Sequence, residues 1–237
     1  MNLLIDSGNT YTKLALCDAH KITEVRQVSS PEDFRIINEQ YFPENIIISS
    51  VNKDAAEILK KFPDTRKIIL DSTTPVPIKN LYKTPTTLGM DRLAGIVGGT
   101  TLFNANALLC IDAGTCITYD IVDEKAQYLG GSISPGIEMR FKALHTFTAK
   151  LPLIHRKENI ALTGDSTENS ILSGVLIGAV KEMEGIINEY KAINKDIKII
   201  ITGGDAGFFE SRIKDTIFAE PELLFLGLKR ILEYNVS

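Results

Sequence analysis

The chain has 237 residues, of which 44% are hydrophobic and 24% are charged, and its formal net charge is −4. This composition is ordinary for a globular protein, and the length allows one large domain or two small ones. The acidic balance, without a Lys/Arg cluster, argues against a nucleic-acid partner, and no apolar run reaches the roughly 18 residues that suggest a membrane span. The opening MNLLID does not resemble a signal peptide, and the cysteines lack metal or disulfide spacing. We therefore expect a cytoplasmic protein with reduced thiols and no membrane contact.

The first half of the chain is predicted to alternate strands and helices. Apolar runs predict strands at 2–7, 11–17, 46–51 and 67–70. Helical spacing of apolar residues predicts helices at 31–42, 54–62 and 91–103, although glycines inside the last one weaken it. Residues 71–90 are rich in Pro, Thr and Lys and predict an irregular loop, of a length that is usually functional or disordered.

The second half begins with a predicted strand pair, ALLCID and CITYDIV. GGSISPG at 130–136 then predicts a loop, and residues 137–151 predict a helix that Pro152 stops. An apolar stripe predicts a long helix at 168–190. The chain continues with a buried strand and glycine turn in IKIIITGG and ends with a helix at 221–235.

One pattern occurs twice, in LLIDSGNTYTKLALCD at 3–18 and in LCIDAGTCITYDIVD at 109–123. Each copy has an apolar run, then Asp-x-Gly with Thr close behind, then a second strand-like run. A single Asp-x-Gly is most often an ordinary hairpin turn. In a pair, the carboxylates can hold a cation, while the glycine, the amides and the hydroxyls allow phosphate to approach. The repeat predicts two related αβ halves, residues 1–104 and 105–237.

The paired turns resemble the phosphate loops of the acetate kinase, sugar kinase, Hsp70 and actin superfamily. The resemblance implies an α/β fold of two ribonuclease-H-like (actin-like ATPase) domains, with mixed sheets flanked by helices and a nucleotide cleft between the domains. Four more motifs narrow the resemblance to the type III pantothenate kinases. They are YKTPTTLGMDR at 82–92, GGSISPG at 130–136, TGDST at 163–167 and TGG at 202–204.

This narrower resemblance implies transfer of the ATP γ-phosphoryl group to the hydroxyl of pantothenate, which gives 4'-phosphopantothenate in the first step of coenzyme A biosynthesis. It also implies a need for Mg²⁺ and for a monovalent cation, K⁺ or NH₄⁺. The protein is expected to be a homodimer whose active site is shared across the interface. Two alternatives remain open, namely another phosphotransferase of the same fold and a kinase-like regulatory protein that binds ATP.

The resemblance also assigns roles to residues. Asp91 is implied as the catalytic base, and Asp112 as the ligand of the monovalent cation. The implied pantothenate contacts are Tyr82, Gly89, Met90, Asp91, Arg92 and Thr167, the last from the neighbouring subunit. The implied ATP contacts are Asp6, Ser7, Gly8, Asn9, Thr10, Tyr11, Thr12, Lys13 and Thr115, with TGG at 202–204 facing the adenosine. Arg92 offers a planar fork that suits the carboxylate of pantothenate.

Simpler roles compete with several of these assignments. Asp91 is a good N-cap for a helix that starts at Arg92, and Tyr82 alone would be read as a packing residue. Arg92 could make a surface salt bridge, and Lys13 could be a solvated residue at a strand end. Thr167 fits a helix start in which Asp165 and Glu168 form a capping box.

Overall fold

The computed structural model describes residues 1–8, 11–28, 30–50, 55–103 and 107–236. Its contacts divide the chain into two compact units. The first comprises Met1–Ala105, Ala126–Leu129 and Glu222–Ser237, and the second comprises Asn106–Lys125 and Gly130–Pro221. The sequence-based division into 1–104 and 105–237 lies beside a unit boundary. It differs in that residues 126–129 and the last helix group with the first unit.

Both units are built from strands and helices. The strands are β1 (Asn2–Ser7), β2 (Thr12–Cys17), β3 (Ile22–Val28), β4 (Asn45–Ser50), β5 (Arg66–Ile69), β6 (Lys79–Asn80), β7 (Leu108–Ala113), β8 (Cys116–Val122), β9 (Gln127–Pro135), β10 (Lys198–Thr202) and β11 (Phe218–Ala219). The helices are α1 (Pro31–Tyr41), α2 (Ala55–Leu59), α3 (Met90–Leu102), α4 (Ile137–Thr146), α5 (Thr167–Leu172), α6 (Gly178–Ile193), α7 (Ala206–Glu210) and α8 (Leu223–Val236).

The sheet of the first unit has the order β3-β2-β1-β4-β5. Strands β1, β2 and β3 are antiparallel neighbours, whereas β4 runs parallel to both β1 and β5. Both faces of this sheet are covered. On β1, Leu3 and Ile5 pack in a cluster with α1 and α2 residues, and Leu4 packs in another with α3 and α8 residues. Such burial on two faces explains the nearly continuous apolar runs of the central strands.

Helix α8 belongs to the first unit because it packs closely against α3. A Cβ atom added at Gly98 would lie 2.1 Å from the Leu223 carbonyl oxygen. One added at Gly227 would lie 1.8 Å from the Ala94 carbonyl oxygen. The glycines that weakened the prediction of α3 from sequence therefore allow the two helix backbones to approach.

The second sheet has the order β11-β10-β7-β8-β9-β6, and its strands β11-β10-β7-β8 repeat the arrangement β5-β4-β1-β2 of the first sheet. Strands β7 and β8 form an antiparallel hairpin, and β10 runs parallel to β7 and to β11. In both units, the strand that carries Asp-x-Gly thus lies between its hairpin partner and a parallel strand. The predicted α/β class, with mixed sheets flanked by helices, is confirmed.

Three predictions for the second unit need correction. GGSISPG is not only a loop, because β9 continues through Pro135. Helix α4 ends at Thr146, so Pro152 does not stop it. The long helix predicted at 168–190 is α5 followed by a π-helical turn, Ser173–Ile177, and then α6. Gly174 and Gly178 lie at this irregularity, where their low helix propensity weakens the regular α-helical pattern.

Within the described ranges, no helix has both the length and the apolar character that a membrane crossing requires. The described cysteines are all free thiols. Cys17 and Cys110 are buried, and Cys116 is half-buried. Burial raises the pKa of the Cys17 thiol to about 11, although Lys229 acts in the opposite direction. Burial also raises the pKa of the Cys110 thiol, so the two buried thiols stay protonated and behave as packing residues.

Candidate active site

The first Asp-x-Gly turn follows β1. Asp6 lies opposite Lys13 in the antiparallel pair with β2 and beside Ser49 of the parallel strand β4. Residues directly opposite each other in an antiparallel pair have neighbouring Cβ atoms on the same face of the sheet. The β1–β2 hairpin therefore places a cationic side chain next to the carboxylate of its own turn.

The hydrogen bonds described for this turn are local. The Gly8 N–H donates to the Tyr11 carbonyl oxygen at 3.1 Å, and the Ser7 Oγ lies 3.5 Å from the Thr12 Oγ1. Ser7 is buried, whereas Tyr11 is exposed. The predicted ATP residues Asn9 and Thr10 lie outside the described residues. The remaining predicted residues of the segment, Asp6 to Gly8 and Tyr11 to Lys13, lie together on one hairpin.

The second turn follows β7, and its carboxylate has different neighbours. Asp112 lies opposite Thr118 in the pair with β8 and beside Thr202 of the parallel strand β10. Both neighbours are neutral hydroxyl residues, unlike Lys13 in the first unit. The Gly114 N–H donates to the Cys116 carbonyl oxygen at 2.9 Å and closes the turn. The predicted ATP contact Thr115 is exposed.

Residues of the TGG motif pack directly on this second turn. Gly203 has a φ of +95°, and an added Cβ atom would lie 2.4 Å from both the Ala113 carbonyl oxygen and the Asp112 Oδ1. Only glycine can adopt this positive φ and pack this closely against the turn without strain. The Asp205 N–H also donates to the Ala113 carbonyl oxygen, at 2.8 Å.

The end of GGSISPG supports the same turn from another direction. The Gly136 N–H donates to the Thr115 carbonyl oxygen at 3.1 Å. A Cβ atom added at Gly136 would lie 2.2 Å from the Gly114 carbonyl oxygen. Three motifs that are separate in sequence, DAGT, GGSISPG and TGG, thus meet within the second unit.

The predicted substrate loop lies in the first unit. The ring of Tyr82 stacks on that of Tyr128, with centroids 5.9 Å apart and an interplanar angle of 9°. The Arg92 guanidinium carbon lies 5.8 Å from the centroid of the Tyr82 ring, within the range of a cation–π interaction. Tyr82 is therefore a packing residue as well as a candidate substrate contact, and it helps to place Arg92.

Asp91 does not have the helix-capping role that was the alternative to catalysis. Helix α3 begins at Met90, its N-cap is Gly89, and Asp91 lies in the first turn. The Arg92 N–H donates to the Asp91 Oδ1 at 2.8 Å. A Cβ atom added at Gly89 would lie 2.4 Å from the same oxygen. Glycine at 89 thus leaves room for the half-exposed carboxylate at the positive end of the helix.

Thr167 is the first residue of α5 and is exposed. The predicted capping box of Asp165 and Glu168 is wrong. Ser166 is the N-cap, and its Oγ accepts from the Asn169 N–H at 3.2 Å, while Glu168 pairs with Lys157 at 2.6 Å. Since Ser166 satisfies the helix start, the Thr167 side chain remains available at the surface of the second unit.

Asp205, which immediately follows TGG, was missed from sequence. It is half-buried, and its carboxylate accepts from the Arg156 guanidinium at 2.8 Å. Burial raises the pKa of Asp205, although Arg156 pulls it down. The only signal in the sequence that could have identified Asp205 was its position directly after the TGG motif.

A separate groove of about 560 Å³ lies along α6, and the residues that line it include none of the predicted site residues.

Comparison with known proteins gives a consistent result. The family model for type III pantothenate kinases matches residues 2–189. A protein named type III pantothenate kinase from Christiangramia forsetii is 44% identical, over 99% of each chain. Another of that name from Cytophaga hutchinsonii is 43% identical, over 100% of each chain.

Solved structures share the fold. A Campylobacter jejuni protein, provisionally described as a Baf family transcriptional activator, aligns with a TM-score of 0.64 and 23% identity, over 98% of each chain. An inorganic polyphosphate/ATP-glucomannokinase from Arthrobacter aligns with a TM-score of 0.52 and 10% identity, over 98% of each chain. These two similarities concern the fold alone. The family model and the full-length relatives decide the assignment: the chain belongs to the type III pantothenate kinase family.

Proposed function

We propose that this protein is an ATP-dependent pantothenate kinase that uses Asp91 as its base and the two Asp-x-Gly turns as its phosphate-binding elements. The reaction is the first step of coenzyme A biosynthesis. The observation that carries the proposal is the start of α3. There a family motif places Asp91 and Arg92 in one helical turn, with the Arg92 guanidinium over Tyr82.

Asp91 acts on the acceptor hydroxyl. The hydroxyl oxygen of pantothenate attacks the γ-phosphorus, the bond from that phosphorus to the β–γ bridging oxygen breaks, and the hydroxyl proton passes to the Asp91 carboxylate. Phosphoryl transfer needs mainly positioning and charge stabilisation, plus one such proton acceptor. Arg92 binds the carboxylate of pantothenate through its planar fork, while Tyr82, Gly89 and Met90 complete the contacts of the loop.

The ATP contacts come from both turns. In the first unit, the segment from Asp6 to Lys13 contacts the phosphates, and the Lys13 ammonium contributes positive charge. In the second unit, Thr115 contacts the phosphates, and residues 202–204 contact the adenosine. This division is supported by the packing of Gly203 against Asp112, which joins the adenosine motif to the second turn.

Two kinds of cation are proposed. A carboxylate suits a hard cation, and the hydroxyl residues Thr118 and Thr202 lie beside Asp112 on the neighbouring strands. Asp112 is therefore the proposed ligand for K⁺ or NH₄⁺, and Asp6 helps to hold Mg²⁺, which proteins usually bind through one or two carboxylates plus substrate phosphates. When bound, these cations neutralise phosphate charge. The remaining positioning is done by the protein side chains named above.

We further propose a cytoplasmic homodimer in which Thr167 contacts the pantothenate of the partner subunit. The exposed position of Thr167 at the start of α5 supports this role. Mixing inactive Asp91→Asn and Thr167→Arg proteins should then restore activity, because one site of each mixed dimer carries neither defect. Free exchange should give about a quarter of wild-type activity, a counting estimate for a closed two-fold dimer. If mixed dimers are confirmed by mass and no activity returns, Thr167 does not act across an interface.

The direct test is a coupled ADP-release assay with pantothenate, run with and without K⁺. We expect ADP release that depends on pantothenate and increases with K⁺. Pantothenol, in which an alcohol replaces the carboxylate, is the matched substrate control, and it should bind more weakly because it cannot pair with Arg92. Glucose tests the alternative of a sugar kinase. Pantothenate-independent ADP release, or none under either condition, would contradict the assignment.

A further inference from the structure

A polar cluster inside the second unit joins four structural elements. The Arg140 Nη2 of α4 donates to the Glu182 Oε2 of α6 at 2.7 Å and to the Ser134 Oγ of β9 at 2.9 Å. The Tyr119 hydroxyl of β8 donates to the other carboxylate oxygen of Glu182 at 3.3 Å. Ser134 also hydrogen-bonds to Glu182, which thus has partners on three elements besides its own helix.

The pair is partly shielded from solvent, and Glu182 also lines the groove along α6. The side chains of Arg140 and Glu182 are 20% and 30% exposed. Burial opposes ionisation of Glu182, but the hydrogen bonds from Ser134 and Arg140 outweigh it and hold the pKa of that carboxyl below its ordinary value. Burial, together with the negative charge of Glu182, raises the pKa of Tyr119, which therefore remains a donor. The ion pair is consequently charged and its geometry is fixed by several partners.

Arg140 connects this cluster to the second phosphate turn. Its Nε donates to the Pro135 carbonyl oxygen at 2.8 Å. The next residue, Gly136, donates its N–H to the Thr115 carbonyl oxygen at 3.1 Å. The close approach of Gly136 to Gly114 leaves no space for a Cβ atom, so a shift of the Pro135–Gly136 segment would be transmitted to the turn.

We propose that Arg140 and Glu182 are positioning residues, which hold the Pro135–Gly136 segment and thereby keep Thr115 in the arrangement that binds the ATP phosphates. The proposal rests on the proposed function only in that Thr115 contacts ATP. Neither residue is part of a motif singled out from the sequence. Outer partners of this kind orient the groups that touch a ligand, and their loss commonly lowers affinity or activity.

A second ion pair on α6 provides a matched control. The Lys181 Nζ lies 2.5 Å from the Glu184 Oε2, and the side chain of Lys181 is 67% exposed. Both residues of this pair lie on one helix, and neither has a described contact with the second turn. Glu184→Gln therefore removes the same charge from the same helix as Glu182→Gln, without touching the link to Pro135.

The test compares Glu182→Gln, Arg140→Lys and Glu184→Gln. Arg140→Lys keeps the positive charge beside Glu182 but cannot reproduce the fork that also bonds to Pro135. The Kd of a non-hydrolysable ATP analogue is measured by calorimetry, together with the KM for each substrate and the Tm. We expect the analogue Kd and the KM for ATP to rise about tenfold in the first two variants, the low end for loss of an orienting partner. The KM for pantothenate should stay unchanged, and Glu184→Gln should match wild type.

A merely structural role predicts a different result, namely a lower Tm with an unchanged analogue Kd in the folded fraction. That result would overturn the proposal. If Glu182→Gln does not fold, a wild-type analogue Kd in Arg140→Lys would overturn it by itself. Analogue binding needs no pantothenate. A wild-type protein that binds the analogue but does not phosphorylate pantothenate would contradict the proposed function, while the Kd values would still decide the role of Arg140 and Glu182.

Discussion

The two Asp-x-Gly turns share a pattern and a topology, but they differ in their neighbours. In the first turn, the residue opposite the carboxylate is Lys13, whereas in the second it is Thr118. The hairpin of the first unit thus supplies a cation of its own, and that of the second unit supplies none at this position. A repeated motif therefore need not have a repeated role, and the hydroxyl residues Thr118 and Thr202 beside Asp112 suit a bound cation.

The described residues of the two turns also differ in the space around their glycines and in the segments that pack on them. Gly136 and Gly203, from separate parts of the chain, leave no room for a Cβ atom beside the second turn. At Gly8 of the first turn, an added Cβ atom would meet the Tyr11 carbonyl oxygen at 3.3 Å, a tight but smaller conflict within the same hairpin. The geometry of the second turn therefore depends on tertiary contacts that the motif itself does not contain.

The largest effects are expected from removing the carboxylates themselves. Asp6→Ala and Asp112→Ala should each abolish turnover, with kcat reduced at least about 10³-fold, because each removes a fixed charge beside polyphosphate and cation. The coupled ADP-release assay measures the loss, with the exposed Asp64→Ala as a control for the first unit. Near-normal turnover in either turn variant would remove that turn from the site.

Asp91→Asn separates catalysis from the two turns, since it leaves both of them intact. We expect kcat to fall by roughly 10²–10⁴-fold, the range for loss of a general base. Binding of an ATP analogue, measured by calorimetry, should remain close to wild type. A folded Asp91→Asn protein that retains most of its activity would show that the carboxylate serves only the local structure of α3.

Gly203→Ala tests the tertiary support of the second turn. The added methyl group would clash with Ala113 and Asp112, and a φ of +95° is strained for alanine. We expect a loss of about 1–3 kcal/mol in the free energy of unfolding, as for an overpacked site. A displacement of the turn by about 1 Å would lower kcat/KM about 10²-fold. Gly207→Ala, where the methyl group meets no atom within 4 Å, is the matched control in the same unit.

Gly8→Ala should have the smallest effect and would sharpen the contrast between the turns. The Tyr11 carbonyl needs to move by only a few tenths of an ångström to accept the methyl group. We expect the free energy of unfolding to fall by less than about 1 kcal/mol, because the shift is small for an overpacked site. Denaturant unfolding beside Gly203→Ala measures the difference. Equal losses in the two variants would mean that the turns do not differ in their support.

The sequence predicted the features that local patterns encode. Both hairpins, the central strands and α3 follow from apolar periodicity, and the two Asp-x-Gly turns stand out because they recur. Local patterns could not show that Gly98 and Gly227 bring α3 and α8 together, so α8 was predicted with the second half, whereas its contacts group it with the first unit. They also could not show the convergence of Gly136 and Gly203 on the second turn. The edge strand β3 was missed because it alternates polar and apolar residues and lacks a continuous apolar run.

The most direct test of the division between the turns is the K⁺ dependence of ATP-analogue binding in wild type, Asp6→Asn and Asp112→Asn, measured by calorimetry with Mg²⁺ held constant. Both variants should bind the analogue more weakly than wild type. Asp6→Asn should keep the wild-type increase in affinity on addition of K⁺, because its turn has Lys13. Asp112→Asn should lose that increase. A wild-type K⁺ response in Asp112→Asn, or its loss in Asp6→Asn alone, would contradict the division.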